Sequence, residues 1–216
     1  MSLPATDLAA RDLACRRGDR LLFRGLNFSL RGGQIVWLRG PNGSGKTSLL
    51  RLLAGLSTPA EGELHWQGRP VREQRTAYAR ATSYVAHANA LKEDLSALES
   101  LQFLARLHGG AGDTAGCTEA LRAVGMHGRR HAAVRTLSQG QRRRIALARL
   151  QLQPAAPLWI LDEPYDALDV EGTRLLDRCI AAHARSGGAA VLTSHIDLSV
   201  NEPAPEILQL DAVAVR

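Results

Sequence analysis

Residues 40–47 read GPNGSGKT, and the interpretation of the whole chain starts from them. They have the form G-x-x-x-x-G-K-[ST] of a phosphate-binding loop. The glycines let the backbone bend so that successive N–H groups face phosphate oxygens, and a following helix adds the positive end of its dipole. The apolar run 35–38 predicts a strand before the loop, and the periodic leucines of 46–56 predict a helix after it. An accidental glycine-rich turn would not be expected in this context.

The loop predicts ATP and Mg²⁺ as cofactors. Lys46 would place a mobile charge between the β- and γ-phosphates, and the Thr47 hydroxyl would ligate Mg²⁺. The chain has only two lysines, so we expect a position that keeps one to be unsuited to the wider guanidinium of arginine. The predicted nucleotide contacts of the loop are Gly40, Pro41, Asn42, Gly43, Ser44, Gly45, Lys46, Thr47 and Ser48.

Residues 158–163 read LWILDE, an apolar run that ends in two carboxylates. A pair of acids at the carboxyl end of a buried strand suits a Mg²⁺ site at the edge of a sheet. We predict that Asp162 reaches Mg²⁺, through a water molecule, and that Glu163 orients and deprotonates the attacking water. Taken alone, the same residues could equally form an ordinary acidic turn.

A third stretch, LSQGQ at residues 137–141, precedes a helical run. It resembles the LSGGQ signature of the ATP-binding-cassette (ABC) family, which combines this signature with a phosphate loop and an Asp-Glu strand. The resemblance implies a homodimer in which the signature of one subunit faces the γ-phosphate of ATP held by the other. The signature residues here are Ser138, Gln139, Gly140 and Gln141, with Gln139 in place of the usual central glycine. A plain serine-capped helix is the alternative.

The resemblance implies further site residues. Asp169 matches the family's D-loop aspartate, which contacts the opposite subunit, and His195 matches its switch histidine. His87 stands where the family usually has a glutamine that contacts Mg²⁺, so we assign it a metal-binding and catalytic role. Arg17 lies where the family usually stacks an aromatic ring on adenine, and a guanidinium plane can stack on a base.

The alternation of strands and helices indicates an α/β fold with a parallel core sheet. The resemblance makes the chain a P-loop NTPase with an ABC-type nucleotide-binding domain, a small antiparallel β part and an inserted helical subdomain. We predict one domain over 1–216, with 1–87 and 151–216 as the catalytic core and 88–150 as the helical subdomain. The predicted strands are 8–15, 26–30, 35–38, 64–66, 83–86, 158–161 and 189–193, and the predicted helices are 46–56, 95–122 with a break at 109–112, and 170–184.

Within the family, stretches 21–30, 40–56, 84–101 and 158–169 resemble the subgroup that serves cytochrome c maturation, with His87 at the glutamine position. This implies an ATPase that drives a separate integral membrane permease in haem export or delivery, peripheral on the cytoplasmic face of the bacterial inner membrane. The ATPase subunit of another small-molecule exporter is the alternative. The chain has no CxxCH sequence, so we expect it not to bind haem itself.

Charge and apolar content exclude other classes. The net charge is +6, but aromatics make up only 4%, and we expect no nucleic acid partner. We interpret Arg142, Arg143 and Arg144 as an ordinary basic stretch, which is typical of the signature helix in this family. No apolar run is long enough to span a bilayer, so the transport pathway is expected in a partner chain. Glu163 and His195 are both present, which argues against a non-hydrolysing ATP sensor.

Overall fold

The computed structural model describes residues 6–152, 156–200 and 202–211. In these ranges the strands are β1 (Asp7–Arg17), β2 (Arg20–Arg31), β3 (Ile35–Arg39), β4 (Glu61–Trp66), β5 (Arg69–Pro70), β6 (Thr82–Val85), β7 (Leu158–Leu161), β8 (Ala189–Thr193) and β9 (Glu206–Gln209). The helices are α1 (Lys46–Leu53), α2 (Arg75–Ala81), α3 (Ala97–Leu107), α4 (Thr114–Ala123), α5 (Gln139–Ala148) and α6 (Val170–Arg185). Among the described residues, every helix is too short or too polar to cross a membrane.

The chain divides into two compact units. The first comprises Met1–Tyr84, Ala155–Asp162 and Ile180–Arg216, and the second comprises Val85–Pro154 and Glu163–Cys179. The second unit therefore contains the segment that the sequence suggested as helical and also the stretch Glu163–Cys179. Hydrogen bonds from α5 to this stretch, described below, give the physical reason for that grouping.

A five-stranded sheet forms the centre of the first unit, in the order β6-β7-β8-β3-β9. β3 pairs in parallel with both β8 and β9, and β7 pairs in parallel with β8. All residues of β7 and β8 are buried, as expected for strands covered on both faces, and this is why they read as continuous apolar runs. The predicted α/β fold with a parallel core sheet is confirmed.

A second, antiparallel sheet belongs to the same unit, in the order β2-β1-β4-β5. The hairpin of β1 and β2 extends from the pair Asp7↔Arg31 to the pair Arg17↔Arg20. Both strands are longer than predicted. The added residues of β1 are charged and exposed, whereas the prediction for β2 missed the buried residues Leu22 and Phe23. The sequence prediction missed α2, β5 and β9, whose apolar patterns are short.

Helix α1 ends at Leu53, so the predicted end at residue 56 is wrong. The Gly55 N–H donates to the Leu52 carbonyl and the Leu56 N–H to the Arg51 carbonyl, both across 2.9 Å. Gly55 has φ +70°, which completes the Schellman arrangement that commonly terminates helices. The leucine periodicity continues to Leu56, but glycine at the left-handed position ends the helix first.

Helices α3, α4 and α5 pack around a hydrophobic cluster in the second unit. Its fully buried members include Leu101, Leu121 and Ile145. The predicted break between two helices is confirmed: α3 ends at Leu107 and α4 begins at Thr114. The Asp113 carboxylate caps α4 by accepting from the Gly116 N–H at 2.7 Å, which explains the start of this helix.

Candidate active site

The carboxyl ends of three neighbouring parallel strands meet at one edge of the core sheet. The phosphate loop follows β3, Asp162 follows β7 directly, and His195 comes two residues after β8. Because β7, β8 and β3 are adjacent in the sheet, these segments converge at that edge. Ligands of open α/β sheets bind beyond the carboxyl ends of the strands, so this edge is the candidate active site in the first unit.

Two glycines of the loop are required by close approaches. Gly40 has φ +154°, and a Cβ there would collide with the carbonyl oxygen of Leu210. Gly45 has φ +101°, and a Cβ there would lie 3.1 Å from Leu22 Cβ. A Cβ on residue 40 has no space, and one on residue 45 would be crowded and would also be strained by the positive φ. Glycine is therefore favoured at both positions, where the loop packs against the chain after β9 and against β2.

The polar side chains of the loop are suited to an anion. The Lys46 ammonium donates to the carbonyl of Gly40 at 2.8 Å and to that of Pro41 at 3.2 Å. The Ser44 hydroxyl is buried and has no hydrogen-bond partner among the described residues. A buried hydroxyl without a partner is unfavourable unless a ligand satisfies it, and a phosphate oxygen could do so. Pro41, Asn42 and Gly43 are exposed, and Ser48 is half-buried.

Thr47 and Asp162 come together from distant parts of the sequence. Thr47 Oγ1 donates to Asp162 Oδ1 at 3.3 Å, and Thr193 Oγ1 donates to the same oxygen at 3.1 Å. Asp162 is only 2% exposed. Hydroxyl and carboxylate oxygens are the ligands that Mg²⁺ prefers, so this donor set fits the predicted ion. The sequence analysis missed Thr193, although a hydroxyl at the end of a buried apolar strand is a usable signal.

His195 and Arg17 both lie in the first unit. His195 is exposed and lies within a bend in which the Ser194 hydroxyl accepts from the Ile196 N–H at 3.1 Å. Arg17 is exposed at the end of the β1–β2 hairpin, whose Leu22 packs against Gly45 of the phosphate loop. The hairpin therefore approaches the phosphate loop.

Glu163 belongs to the second unit. It has φ +46°, in the left-handed region that side chains disfavour. Its carbonyl accepts from Arg143 Nη2 at 2.8 Å, and the Pro164 carbonyl accepts from Arg143 Nε at 3.2 Å. Arg143 is 2% exposed and Arg144 is 8% exposed, so neither arginine presents its guanidinium to solvent as a nucleic-acid contact would.

The signature stretch forms the first turn of α5. Ser138 Oγ accepts from the Gln141 N–H at 3.2 Å, while Gln141 Oε1 accepts from the Ser138 N–H at 3.1 Å. This reciprocal pair is a capping box, so the serine-capped helix is present. A Cβ on Gly140 would collide with the carbonyl of Ala167, which has φ +61°, so glycine is needed there for packing. Gln139 is exposed.

Asp169 and His87 each contact a charged neighbour in the second unit. Asp169 accepts from the Gly172 N–H at 2.8 Å and pairs with Arg144, and both contacts lower its pKa, the N–H more strongly. His87 is exposed, and its Nδ1 lies 3.3 Å from a carboxylate oxygen of Asp166. The structure thus joins the predicted residues of this unit to the loop that follows Glu163.

Comparison with known sequences identifies relatives along most of the chain. The family described as "ABC transporter" matches residues 23–166. A Methylococcus capsulatus protein named "Cytochrome c biogenesis ATP-binding export protein CcmA" is 49% identical over 89% of this chain and 93% of its own. The Escherichia coli K12 protein of the same name is 48% identical over 90% of this chain and 92% of its own.

Solved structures have the same fold. A putative ABC transporter ATP-binding protein from Pyrococcus furiosus superimposes with a TM-score of 0.81 and 25% identity, over 94% of this chain and 97% of that one. The ATP-binding cassette MJ0796, in a dimeric post-hydrolysis state bound to ADP and Pi, has a TM-score of 0.78 and 23% identity, over 95% of this chain and 96% of that one. The similarity to MJ0796 supports the fold alone.

Proposed function

This chain belongs to the ABC transporter family, and we propose that it is the ATP-hydrolysing subunit of a membrane complex that serves cytochrome c maturation. The observation that carries this proposal is the name shared by relatives that are 44–49% identical over 89–96% of the chain. As an ABC-type ATPase, the chain binds ATP and converts it to ADP and phosphate.

The phosphate loop and Asp162 support the proposed nucleotide and metal sites. In this proposal the Lys46 ammonium exchanges the loop carbonyls for phosphate oxygens, and the Ser44 hydroxyl gains an acceptor. Thr47 and Asp162 would hold Mg²⁺, which would neutralise phosphate charge. The Thr193 hydroxyl orients Asp162 throughout, because it donates to the same carboxylate oxygen as Thr47.

Glu163 is the proposed general base for the attacking water. His195 is the proposed contact to the γ-phosphate, and His87 takes the place of the family's glutamine. Arg17 is the proposed stacking partner of adenine. Ser138, Gln139, Gly140 and Gln141 would contact the nucleotide of a second subunit, with Asp169 at the same interface. The helix N-terminus that these residues cap is suited to phosphate.

The proposed partners are a second copy of this chain and an integral membrane permease subunit. The proposed location is the cytoplasmic face of the bacterial inner membrane. Haem would be handled by the partner chains, and the segment 87–99 is the proposed permease contact. Residues 88–150 are the proposed helical subdomain, inserted in a catalytic core of 1–87 and 151–216.

Deletion of the gene with complementation tests the function. Haem-stained c-type cytochromes should disappear in the deletion strain, return with the wild-type gene, and stay absent with Lys46→Ala. Immunodetection of the variant controls for its abundance. Normal c-type cytochromes in the deletion strain would remove the cytochrome role, while leaving the ATPase assignment to be tested by hydrolysis in vitro.

A further inference from the structure

Arg143 has the largest side chain among the fully buried residues that the structure describes. Arg143 lies in α5 and is 2% exposed. Arginines are almost never fully buried unless they are paired, because the guanidinium stays charged and must find acceptors for five N–H donors. A buried arginine therefore marks a place where several acceptors need to be held in a fixed arrangement.

Arg143 donates to acceptors in two segments of the second unit other than its own helix. Toward one segment, Nη2 donates to the Glu163 carbonyl at 2.8 Å and Nε donates to the Pro164 carbonyl at 3.2 Å. Toward the other, Nη1 donates to the carbonyl of Ala86 at 2.8 Å, to that of His87 at 3.2 Å and to Asn89 Oδ1 at 3.1 Å. One rigid planar group thus joins α5 to both segments.

The bonds to Glu163 and Pro164 act on a backbone that needs support. Glu163 has φ +46°, and such a conformation persists in a residue with a side chain only when its surroundings hold it. Two donors on consecutive carbonyls fix the peptide planes on the carboxyl side of Glu163. They therefore restrict the direction in which its Cα–Cβ bond can point.

We propose that Arg143 is a positioning residue for Glu163, and this inference rests on the proposed role of Glu163 as general base. In this role Arg143 acts through the backbone, because it donates to the carbonyls of Glu163 and Pro164. Its effect on turnover comes from the placement of the Glu163 carboxylate. A displacement of about 1 Å in a reacting group can reduce a rate by roughly 10²-fold.

The acceptors around residue 143 lie in two segments and require the planar guanidinium of arginine. The Nε and Nη2 donors of one guanidinium are in a plane and point to neighbouring carbonyls, while Nη1 points to the segment of Ala86. Lysine has its three donors on one atom and cannot reach both groups of acceptors in the same way. Glutamine keeps a polar amide, with two donors and a shorter reach.

The test is steady-state ATP hydrolysis by the full-length chain carrying Arg143→Gln or Arg143→Lys. We expect kcat to fall by roughly 10²-fold for the glutamine and about 10-fold for the lysine, with KM for ATP within about threefold of wild type. Ile145→Ala is the matched control, because Ile145 is fully buried in the same helix and belongs to the hydrophobic cluster. It should lower Tm with little change in kcat.

Four results separate failure of the positioning role from failure of the general-base assignment. If Ile145→Ala loses as much kcat as Arg143→Gln at an equal loss of Tm, or if Arg143→Lys has wild-type kcat, the positioning role is wrong. Adding Arg143→Gln to Glu163→Gln should reduce turnover no further, because both changes act on one group. If Glu163→Gln alone keeps wild-type turnover, the general-base assignment fails, and the inference fails with it.

Discussion

Thr47 Oγ1 lies 3.3 Å from Asp162 Oδ1, although 115 positions separate the two residues in the chain. Thr47 is in the first turn of α1, and Asp162 directly follows β7. Thr193 adds a second hydroxyl to the same carboxylate oxygen from the end of β8. The three side chains therefore join the phosphate-loop helix to two strand ends, in an arrangement that fits Mg²⁺.

Asp162→Ala should weaken the Mg²⁺ dependence of ATP binding. A carboxylate that holds a metal through water contributes roughly 10- to 100-fold to metal affinity. A Mg²⁺ titration of fluorescent-nucleotide binding should therefore need about 10- to 100-fold more Mg²⁺, with binding in EDTA unchanged. Thr193→Val is the matched control, since it keeps the carboxylate and removes one donor, and its midpoint should shift less. A wild-type midpoint in Asp162→Ala would argue against this site.

Glu163→Gln should bind ATP normally and hydrolyse it roughly 10²- to 10⁴-fold more slowly, because the amide cannot accept a proton from water. A single-turnover assay with radiolabelled ATP measures the chemical step directly. Glu119→Gln controls for the loss of one carboxylate, since Glu119 is an exposed residue of α4 paired with Arg122. Substantial hydrolysis by Glu163→Gln would show that another group activates the water.

Turnover per chain should rise with protein concentration, because each site of the proposed head-to-tail dimer takes its signature from the other subunit. Lys46→Ala and Ser138→Arg homodimers should both be inactive. A mixed dimer has one site with both changes and one intact site, so mixing should restore ATP-dependent dimerisation, measured by light scattering. A rate per chain that is independent of concentration would contradict the shared site.

The stability of the folded chain should fall as the pH drops from about 6.5 to 4 because of His183. The imidazole stacks on Trp159 with ring centroids 3.8 Å apart, and burial lowers its pKa to about 4. The unfolded chain binds this proton below about pH 6.5 and the folded chain only near 4, so acid favours unfolding. Above pH 6.5 both states are neutral and the contribution is constant.

Up to about 3 kcal/mol of unfolding free energy should be lost through His183 by pH 4. His183→Phe keeps an aromatic ring on Trp159 and removes the titration, so its urea-unfolding midpoint should change less between pH 7 and 5. His131→Gln, at an exposed histidine, should behave as wild type. Equal pH dependence in wild type and His183→Phe would show that His183 is not the cause.

The phosphate loop, the buried strands and the fold class followed from local sequence. Glycines with positive φ and a lysine at a set spacing are typical of this kind of phosphate loop, and strands covered on both faces need continuous apolar runs. Gly40 and Gly45 satisfy the first requirement, and β7 and β8 satisfy the second. The end of α1 was also encoded locally by Gly55, two residues after the last helical residue, although the leucine periodicity continues past it.

Other features depended on which segments became neighbours in space. Thr193 supports Asp162 because β8 lies between β7 and β3, and β9 joins the sheet by pairing with β3. Arg143 read as part of a basic stretch, yet its guanidinium is buried on the carbonyls of Ala86 and Glu163. Arg143 and Ala86 are 57 positions apart in the chain. Local periodicity cannot predict them, because the same side chain is buried or exposed according to the packing of distant segments.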